Sequence, residues 1–432
     1  MSSTSVAPPR RSLFRHRDFR LLWMGDTVSV FGMQFVGLAL PLLAVQLLHA
    51  DEFEMGLLAM LESLAFLLIS LPAGAWVDRW RKKRIIVAGD LLRAVLLLTI
   101  PAAWLLGALT MTQLFVVVFA VGCITVFFDV ANQSYLPQIV EPEQIGEGNG
   151  KLQASQQTAM VAGPAAAGAL VRLVGSPLTV AVTAVCMALS SLFVSRIRHQ
   201  EQAPDPELRR PMRLEVKEGM AFVLGQPLLR RIVACTGLTN LASAAVMALF
   251  VLYAVRTLDL AETTLGLVLS AAAVGGLLGA VTSDRFARLV GEGRSIPVSA
   301  LLGGVAVLSV PAAATLPAVP TLLIGQFVLS WAVVVYNIAQ VSFRQRLCPR
   351  PLLGRMNASI RFLVWGPMPV GAFLGGLLGR EVGVAPTLWV FAALSVAAAL
   401  PVVASPLISM RQLPRELDAL AGPSGAEPRR ES

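Results

Sequence analysis

Charged residues are scarce in this chain. Asp, Glu, Lys and Arg make up 14% of its 432 residues, whereas a soluble domain usually carries about 25%. Hydrophobic residues make up 56% and the mean hydropathy is +0.70. A block of about 20 apolar residues spans a bilayer as a helix, which satisfies its own backbone hydrogen bonds. The composition therefore excludes a soluble globular protein and predicts a membrane protein with many spans.

Cysteine and histidine are also rare, with four and three residues respectively. Their spacing fits neither a disulfide framework nor a zinc site, and an enzyme embedded in the membrane would need such residues clustered at one depth. The segment 146–152 hints at a phosphate-binding loop, but its spacing is short and no Ser or Thr follows Lys151. We therefore predict no catalytic residue, no metal and no cofactor.

The lengths of the apolar runs predict twelve membrane spans. The weakest is the fifth, which contains three glutamines. A polar stretch at 197–228 divides the spans six and six, and its second half, 212–224, fits either an interfacial amphipathic helix or a solvated connector. The predicted spans are 19–48, 54–78, 84–107, 112–136, 153–174, 177–196, 229–256, 263–284, 295–316, 319–343, 355–379 and 384–408.

The fold class that follows is an all-α membrane protein with twelve transmembrane helices in two pseudo-symmetric six-helix halves. The domain prediction is an N-terminal half at 1–196, a cytoplasmic central loop at 197–228, a C-terminal half at 229–410 and a disordered cytoplasmic tail at 411–432.

Positive charge is distributed unequally between the two sides of the predicted spans. If the N-terminus is cytoplasmic, the outward loops hold only Arg172, Arg256 and Arg380, and Arg93 and Arg361 lie within spans. All the other Lys and Arg fall on the cytoplasmic side. This asymmetry predicts a multi-pass protein of the cell membrane with both termini inside. It also explains the net charge of +9 without nucleic acid, because basic loops meet anionic lipid headgroups.

The two halves of the sequence repeat each other. The segment 130–135 corresponds to 338–343, 208 residues later, and Asp78-Arg79 corresponds to Asp284-Arg285, 206 residues later. Two similar six-span halves predict a parallel repeat, an architecture in which the binding site lies between the halves near the midplane.

The most distinctive motif is the segment Gly74–Arg84, between the second and third predicted spans. Gly74 allows close helix approach, and Asp78 at a membrane boundary needs positive partners, either arginines or the N-terminus of another helix. This segment resembles the loop signature of the major facilitator superfamily, and the resemblance covers nearly the whole chain. It departs from the usual pattern at Arg81, where a Gly is common, and at Ala280, which replaces the leading Gly of the second copy.

The resemblance implies a conformational-switch loop. In that superfamily the Asp locks the two halves by meeting the start of span 11, which here lies near Arg355 and Asn357. The residues assigned to the switch are Gly74, Asp78, Arg79, Arg84, Asp284 and Arg285.

Three other segments, 125–137, 149–153 and 218–222, are similar to the branch of exporters that includes enterobactin and macrolide efflux proteins. In span 5, Gly163, Pro164 and Gly168 resemble the Gly-Pro motif of drug antiporters, although Ala159 replaces its leading Gly. An ordinary kinked helix with close packing explains the same residues. Three glycines spaced by four residues in span 11, at 371, 375 and 379, predict a tight helix contact.

Ionisable residues within spans are candidates for function, because each costs about 2.5–3.5 kcal/mol to insert. We predict that Asp26, Glu62, Asp129 or Arg361 couples charge to conformation or binds substrate, and Glu62 is the preferred protonatable site. A structural helix contact for Asp26 and a gate contact for Asp129 are the alternatives. Asp90 and Arg93 are assigned to the network around Asp78. The span-4 Arg motif of many proton antiporters is not evident.

Together, these features predict a secondary transporter that exports a small amphipathic compound by alternating access, coupled to protons. The expected partners are the small-molecule substrate, protons and membrane lipids, with no nucleic acid, and the expected state is a monomer. An importer on the same fold and a transport-inactive scaffold or sensor are the alternatives.

Overall fold

The computed structural model describes residues 13–77, 80–141, 144–199, 201, 220–347 and 353–411. In the first half of the sequence a short 3₁₀ turn, Leu13–Arg15, precedes six long helices. These are α1 (Arg17–Gln46), α2 (Glu52–Val77), α3 (Lys82–Leu105), α4 (Met111–Ile139), α5 (Ile145–Val174) and α6 (Ser176–Ser195).

Residues 220–225 are also helical, and most of the predicted central loop lies outside the described residues. The second half contains α7 (Pro227–Arg256), α8 (Glu262–Val290), α9 (Glu292–Val307), α10 (Ser309–Ala312), α11 (Ala318–Leu347), α12 (Leu353–Trp365), α13 (Pro367–Val382), α14 (Val384–Ala397) and α15 (Leu400–Val403).

Within the described residues, eleven segments are long and apolar enough to cross a membrane. Each corresponds to one predicted span, and the remaining predicted span, 54–78, is occupied by α2. An all-helical, multi-pass fold is thus confirmed, with eleven of the twelve predicted spans among these segments. The glutamines that weakened the prediction of span 5 lie inside α5, which begins earlier than expected, at Ile145.

The chain divides into two compact units. Unit 1 comprises 1–50, 61–208 and 261–270, and unit 2 comprises 51–60, 209–260 and 271–432. In unit 1 the main helix contacts are α1 with α5 and α6, and α3 with α4 and α6. In unit 2 the corresponding contacts are α7 with α13 and α14, and α9 with α11 and α14.

Two pairs of backbone conformations show the repeat directly. His49 and Asp259, 210 residues apart, both adopt positive φ, at 53° and 50°, which is uncommon for residues other than Gly. Gly175 and Gly383, 208 residues apart, adopt φ of 84° and 93° at the turns that follow α5 and α13. The internal similarity predicted from sequence therefore extends to individual turns.

Three predicted spans contain a local interruption, and one predicted loop is helical. Span 11 is interrupted at Gly366, between α12 and α13, because Pro367 and Pro369 lack the N–H groups that would continue the hydrogen-bond ladder. Spans 9 and 12 are interrupted in the same way between α9 and α10 and between α14 and α15, and all three remain single membrane-crossing segments. The second copy of the signature loop was expected after span 8. Instead, α8 continues to Val290, and so Asp284 and Arg285 lie within the helix.

The start of the central connector is held against unit 1 by two carboxylates. The Asp18 carboxylate accepts hydrogen bonds from the backbone N–H groups of Arg198, at 3.2 Å, and His199, at 3.0 Å. The Glu201 carboxylate accepts hydrogen bonds from the N–H groups of Lys82, at 2.6 Å, and Lys83, at 2.5 Å. A carboxylate at the first turn of a helix satisfies donors that have no partner within the helix. These contacts place the starts of α1 and α3 and the end of α6 together at one end of unit 1.

Candidate functional site

The switch loop predicted from the superfamily signature is described only in part. Gly74 belongs to α2 and Arg84 to the first turn of α3, where its side chain is exposed. Asp78 and Arg79 lie outside the described residues. Asp284 and Arg285 are exposed near the end of α8. The lock between Asp78 and the start of span 11 therefore stays a prediction.

The Gly-Pro motif of α5 forms a close helix crossing within unit 1. A Cβ atom at Gly168 would lie 2.5 Å from the backbone oxygen of Glu262, and one at Gly266 would meet the backbone oxygen of Pro164. The Ala165 N–H donates to Ser270 Oγ at 3.1 Å. The first turns of α8 thus lie directly on the α5 backbone, which is the close packing expected of this motif.

Helix α1 also contacts this crossing, through Gln46 and through the side chain that faces Gly163. The Gln46 amide donates to Glu262 Oε1 at 2.8 Å. A Cβ atom at Gly163 would lie 2.5 Å from Gln34 Cβ. Gln34 on α1 therefore packs against the helix that carries the motif.

Unit 2 contains an equivalent crossing between α2 and α13. A Cβ atom at Gly56 would lie 2.5 Å from Gly376 Cα and 2.8 Å from the backbone oxygen of Ala372. One at Gly376 would lie 2.8 Å from the backbone oxygen of Glu52. Phe53 packs edge-on against Phe373, with ring centroids 5.8 Å apart.

The two crossings are related by the sequence repeat. Gly56 and Gly266 are 210 residues apart, and so are Glu52 and Glu262. Each glycine lies against the carbonyl of an equivalent residue, Ala372 or Pro164, which are 208 residues apart. In both units, therefore, the close contact is made by ten residues that belong to the other half of the sequence.

Asp26 on α1 is paired across helices with a polar residue of α4. The Asn132 amide donates to Asp26 Oδ1 at 2.6 Å, and one residue further along α1 the Thr27 hydroxyl donates to Ser155 Oγ at 3.0 Å. Asp26 itself is half-buried. The helix contact predicted as the alternative for Asp26 is thus present, and its role in coupling or substrate binding stays a prediction.

Asp90 and Arg93 form a buried ion pair on α3. Arg93 Nη2 lies 2.5 Å from Asp90 Oδ1, and the two side chains are 1% and 0% exposed, respectively. The Ser29 hydroxyl on α1 donates to the same Asp90 oxygen at 3.4 Å. Arg93 also donates to Thr125 Oγ1 at 3.2 Å and lies 4.0 Å from the centre of the Phe128 ring. The structure pairs these residues with each other, and their predicted link to Asp78 cannot be traced because Asp78 is not described.

The other candidate charges are accessible. The side chains of Glu62, Asp129 and Arg361 are exposed, and the Arg361 guanidinium lies 5.3 Å from the centre of the Trp365 ring. Among the described residues, the Glu62 carboxylate makes no hydrogen bond or ion pair, while Ala65, three residues further along α2, packs against Gly122 of α4.

In unit 2, polar side chains within the helices pair with one another or with the backbone. The Thr236 and Tyr336 hydroxyls are 2.8 Å apart, and the Asn240 amide donates to the Val364 carbonyl at 2.6 Å, next to the break in span 11. Trp331 Nε1 donates to Thr282 Oγ1 at 2.9 Å. These polar side chains therefore join neighbouring helices of unit 2.

The three regularly spaced glycines of span 11 also make the predicted tight contact. A Cβ at Gly371 would meet the Leu241 backbone, and one at Gly375 would lie 2.8 Å from Ala245 Cα. A Cβ at Gly379 would lie 3.1 Å from the Leu249 side chain. The α7–α13 interface therefore depends on backbone contact.

Sequence reasoning missed the partners of the charged residues in unit 1. Thr125 and Asn132 were noticed only as parts of a similar segment, and Ser29 and Ser190 were not noticed at all. One signal was present, because Asp26 and Ser29 lie three residues apart, as do Asp90 and Arg93, and therefore share helix faces.

Comparison with known proteins identifies the family. A family model described as transmembrane secretion effector, within the major facilitator superfamily, matches residues 4–422. The chain belongs to this family. The superfamily and the exporter branch indicated by the signature loop and the neighbouring segments are thereby confirmed.

This chain has relatives whose names refer to efflux or export. It is 28% identical over 376 residues to the multidrug efflux pump Tap of Mycolicibacterium fortuitum, covering 83% of this chain and 87% of the relative. It is 22% identical over 370 residues to the enterobactin exporter EntS of Salmonella choleraesuis (strain SC-B67), covering 84% and 86%.

Solved transporters share the fold. The nucleoside transporter NupG superposes with a TM-score of 0.74 at 14% identity, covering 90% of this chain and 98% of that one. An inward-facing bacterial homologue of the iron transporter ferroportin gives 0.74 at 17% identity, covering 91% and 99%. At these identities the similarity establishes the fold alone.

Proposed function

We propose that this chain exports a small amphipathic compound from the cell by alternating access, driven by inward proton flow. The observation that carries the proposal is its similarity, over most of both chains, to a protein named as a multidrug efflux pump and to one named as an enterobactin exporter.

The two helix crossings support a change of conformation. At Gly56 and Gly266 the helices meet through backbone atoms. A contact without interlocking side chains at its closest point can separate and reform without rotamer changes there. In this proposal both crossings open and close once in each transport cycle, while the tight α7–α13 contact persists.

The charged residues within the spans support the coupling of proton flow to substrate transport. Glu62 and Asp129 are exposed carboxylates, Asp26 is half-buried, and Arg361 is an exposed cation beside Trp365. Charges within spans are costly, and their retention points to function. We assign substrate or proton contact to these four residues, in a monomer surrounded by lipid, with both termini cytoplasmic.

The test is efflux from proteoliposomes. The purified protein would be reconstituted, loaded with ethidium as an amphipathic probe, and exposed to an imposed pH gradient of either sign. We expect ethidium to move in the direction opposite to proton flow, and faster than it moves with no gradient. Reversing the pH gradient should reverse the direction of ethidium movement. Movement that ignores both gradients would contradict proton coupling.

Cells supply the test of direction. A strain lacking the protein should accumulate ethidium and become more susceptible to a panel of amphipathic antibiotics, and the intact gene should reverse both effects. If the strain instead accumulates less of the probe, the chain is an importer.

A further inference from the structure

The buried ion pair of unit 1 is incompletely satisfied. Asp90 Oδ2, Arg93 Nε and Ser190 Oγ are buried, and none has a hydrogen-bond partner within the part of the chain that the structure describes. Ser190 on α6 lies beside Asp90, close enough to interact but without the geometry of a hydrogen bond. A buried ion pair contributes little stability unless its remaining donors and acceptors are satisfied. This pair is therefore poorly suited to a purely structural role.

The same geometry suits an exchange of charge at Asp90. A proton on Oδ2 would turn this oxygen into a donor facing Ser190 Oγ, which can accept. Arg93 would then lose its anionic partner. It would keep the hydrogen bond to Thr125 and the face of the Phe128 ring, and both of these contacts are on α4.

Asp26 on α1 is half-buried and lies close enough to Asp90 for their charges to interact. It is three residues from Ser29 on α1 and therefore shares a helix face with the hydroxyl that contacts Asp90. The titratable groups around Asp90 are Arg93 on its own helix and Asp26 on α1, which lies close enough to interact with the charge of Asp90 and with that of Asp129 on α4. Among these groups Arg93 is the cation, and its ion pair is with Asp90.

We propose that Asp90, with Ser190, is the site at which unit 1 holds a proton, and that Asp26 is the carboxyl group through which the proton arrives. In this step one proton leaves the Asp26 carboxyl group and forms an O–H bond on Asp90. Asp26 becomes a carboxylate and Asp90 a neutral acid, which leaves Arg93 to its α4 contacts. The inference rests on the proposed proton-driven transport and adds to it a residue that carries the proton.

Infrared spectroscopy tests the site without a substrate. The protein in proteoliposomes would be titrated from alkaline to acidic pH while the C=O stretch of protonated carboxyl groups is recorded, before and after transfer to D₂O. We expect the wild type to show a band that Asp90→Asn removes. Asp26→Asn should keep this band but slow its H/D exchange several-fold.

Two further variants distinguish the loss of the proton site from misfolding. Asp90→Asn leaves Arg93 buried without a carboxylate, so Asp90→Asn/Arg93→Gln, with both charges removed, is measured alongside and should also lack the band. Asp259→Asn is the control, because Asp259 is exposed outside the spans and its positive φ is tolerated by Asn; its spectrum should match that of the wild type. A band that survives in both Asp90 variants, or that is absent from the wild type at every pH, overturns the inference.

Ethidium efflux separates this inference from the proposed function. If the wild type and Asp90→Asn/Arg93→Gln respond equally to the pH gradient, Asp90 is not the proton carrier and proton-driven export stands. If the wild type ignores the gradient while its Asp90 band is present, proton-driven export fails and the proton site remains.

Discussion

Units 1 and 2 agree in architecture and differ in charge. Both have equivalent helix contacts, equivalent positive-φ turns and an equivalent glycine crossing. Among the described residues, the buried charged side chains are Asp90 and Arg93, and both belong to unit 1. The Arg361 cation of unit 2 is exposed. The features that pack the helices together are therefore equivalent in the two units, whereas the buried charged side chains are not.

The largest difference in stability between the two units should come from removing one charged side chain from each. Arg93→Leu leaves the Asp90 carboxylate buried and unpaired, and should lower the free energy of unfolding by about 3–5 kcal/mol. Arg361→Leu removes an exposed cation and its contact with Trp365, and should cost about 0.5–1 kcal/mol. Denaturant titration of the purified proteins in micelles measures both, and equal losses would contradict the contrast.

The second-largest difference should be in the stability lost when one inter-helix hydrogen bond is removed from each unit. Asn132→Leu removes a hydrogen bond to the charged Asp26 acceptor and should cost about 1.5–3 kcal/mol. Asn240→Leu removes a hydrogen bond to the neutral Val364 carbonyl and should cost about 1 kcal/mol. The same titration applies, and a larger loss for Asn240→Leu would argue that the break in span 11 depends on this amide.

The crossings should behave alike. Gly56→Ala and Gly266→Ala each place a methyl group against backbone, and should cost about 1–3 kcal/mol and slow ethidium efflux to a similar degree. Gly37→Ala is the control, since nothing lies within 4 Å of its Cβ position, and it should gain up to about 1 kcal/mol in helix propensity. Strongly unequal effects of the two test variants on efflux would break the proposed equivalence.

The smallest contrast concerns two buried tyrosines. Tyr336→Phe removes the hydroxyl bonded to Thr236 in unit 2, and should cost about 0.5–1.5 kcal/mol. In unit 1 the Tyr135 hydroxyl has no hydrogen-bond partner among the described residues, and so Tyr135→Phe should be neutral or slightly stabilising. A clear loss of stability in Tyr135→Phe would show that this hydroxyl is satisfied in solution.

The sequence was sufficient to predict the helical, multi-pass fold, because apolar run length directly reflects the thickness of the bilayer. It also predicted the close contacts of Gly168 and Gly375, since glycine at four-residue spacing leaves backbone exposed to a neighbouring helix. It could not predict that Asn132 meets Asp26 or that Ser29 meets Asp90. Those pairs depend on the rotation of one helix against another, which hydrophobicity alone does not specify when most faces of a helix are apolar.

The ten-residue segments 51–60 and 261–270, each of which belongs to the unit formed mainly by the other half of the sequence, suggest how this chain arose. Neither six-helix half contains the strip of backbone that completes its own glycine crossing, since 51–60 serves unit 2 and 261–270 serves unit 1. An ancestral gene for one half would have encoded a protein that took this strip from a second copy. Duplication and fusion would then have joined two mutually dependent subunits into one polypeptide, and only afterwards could one of them accumulate buried charge while the other did not.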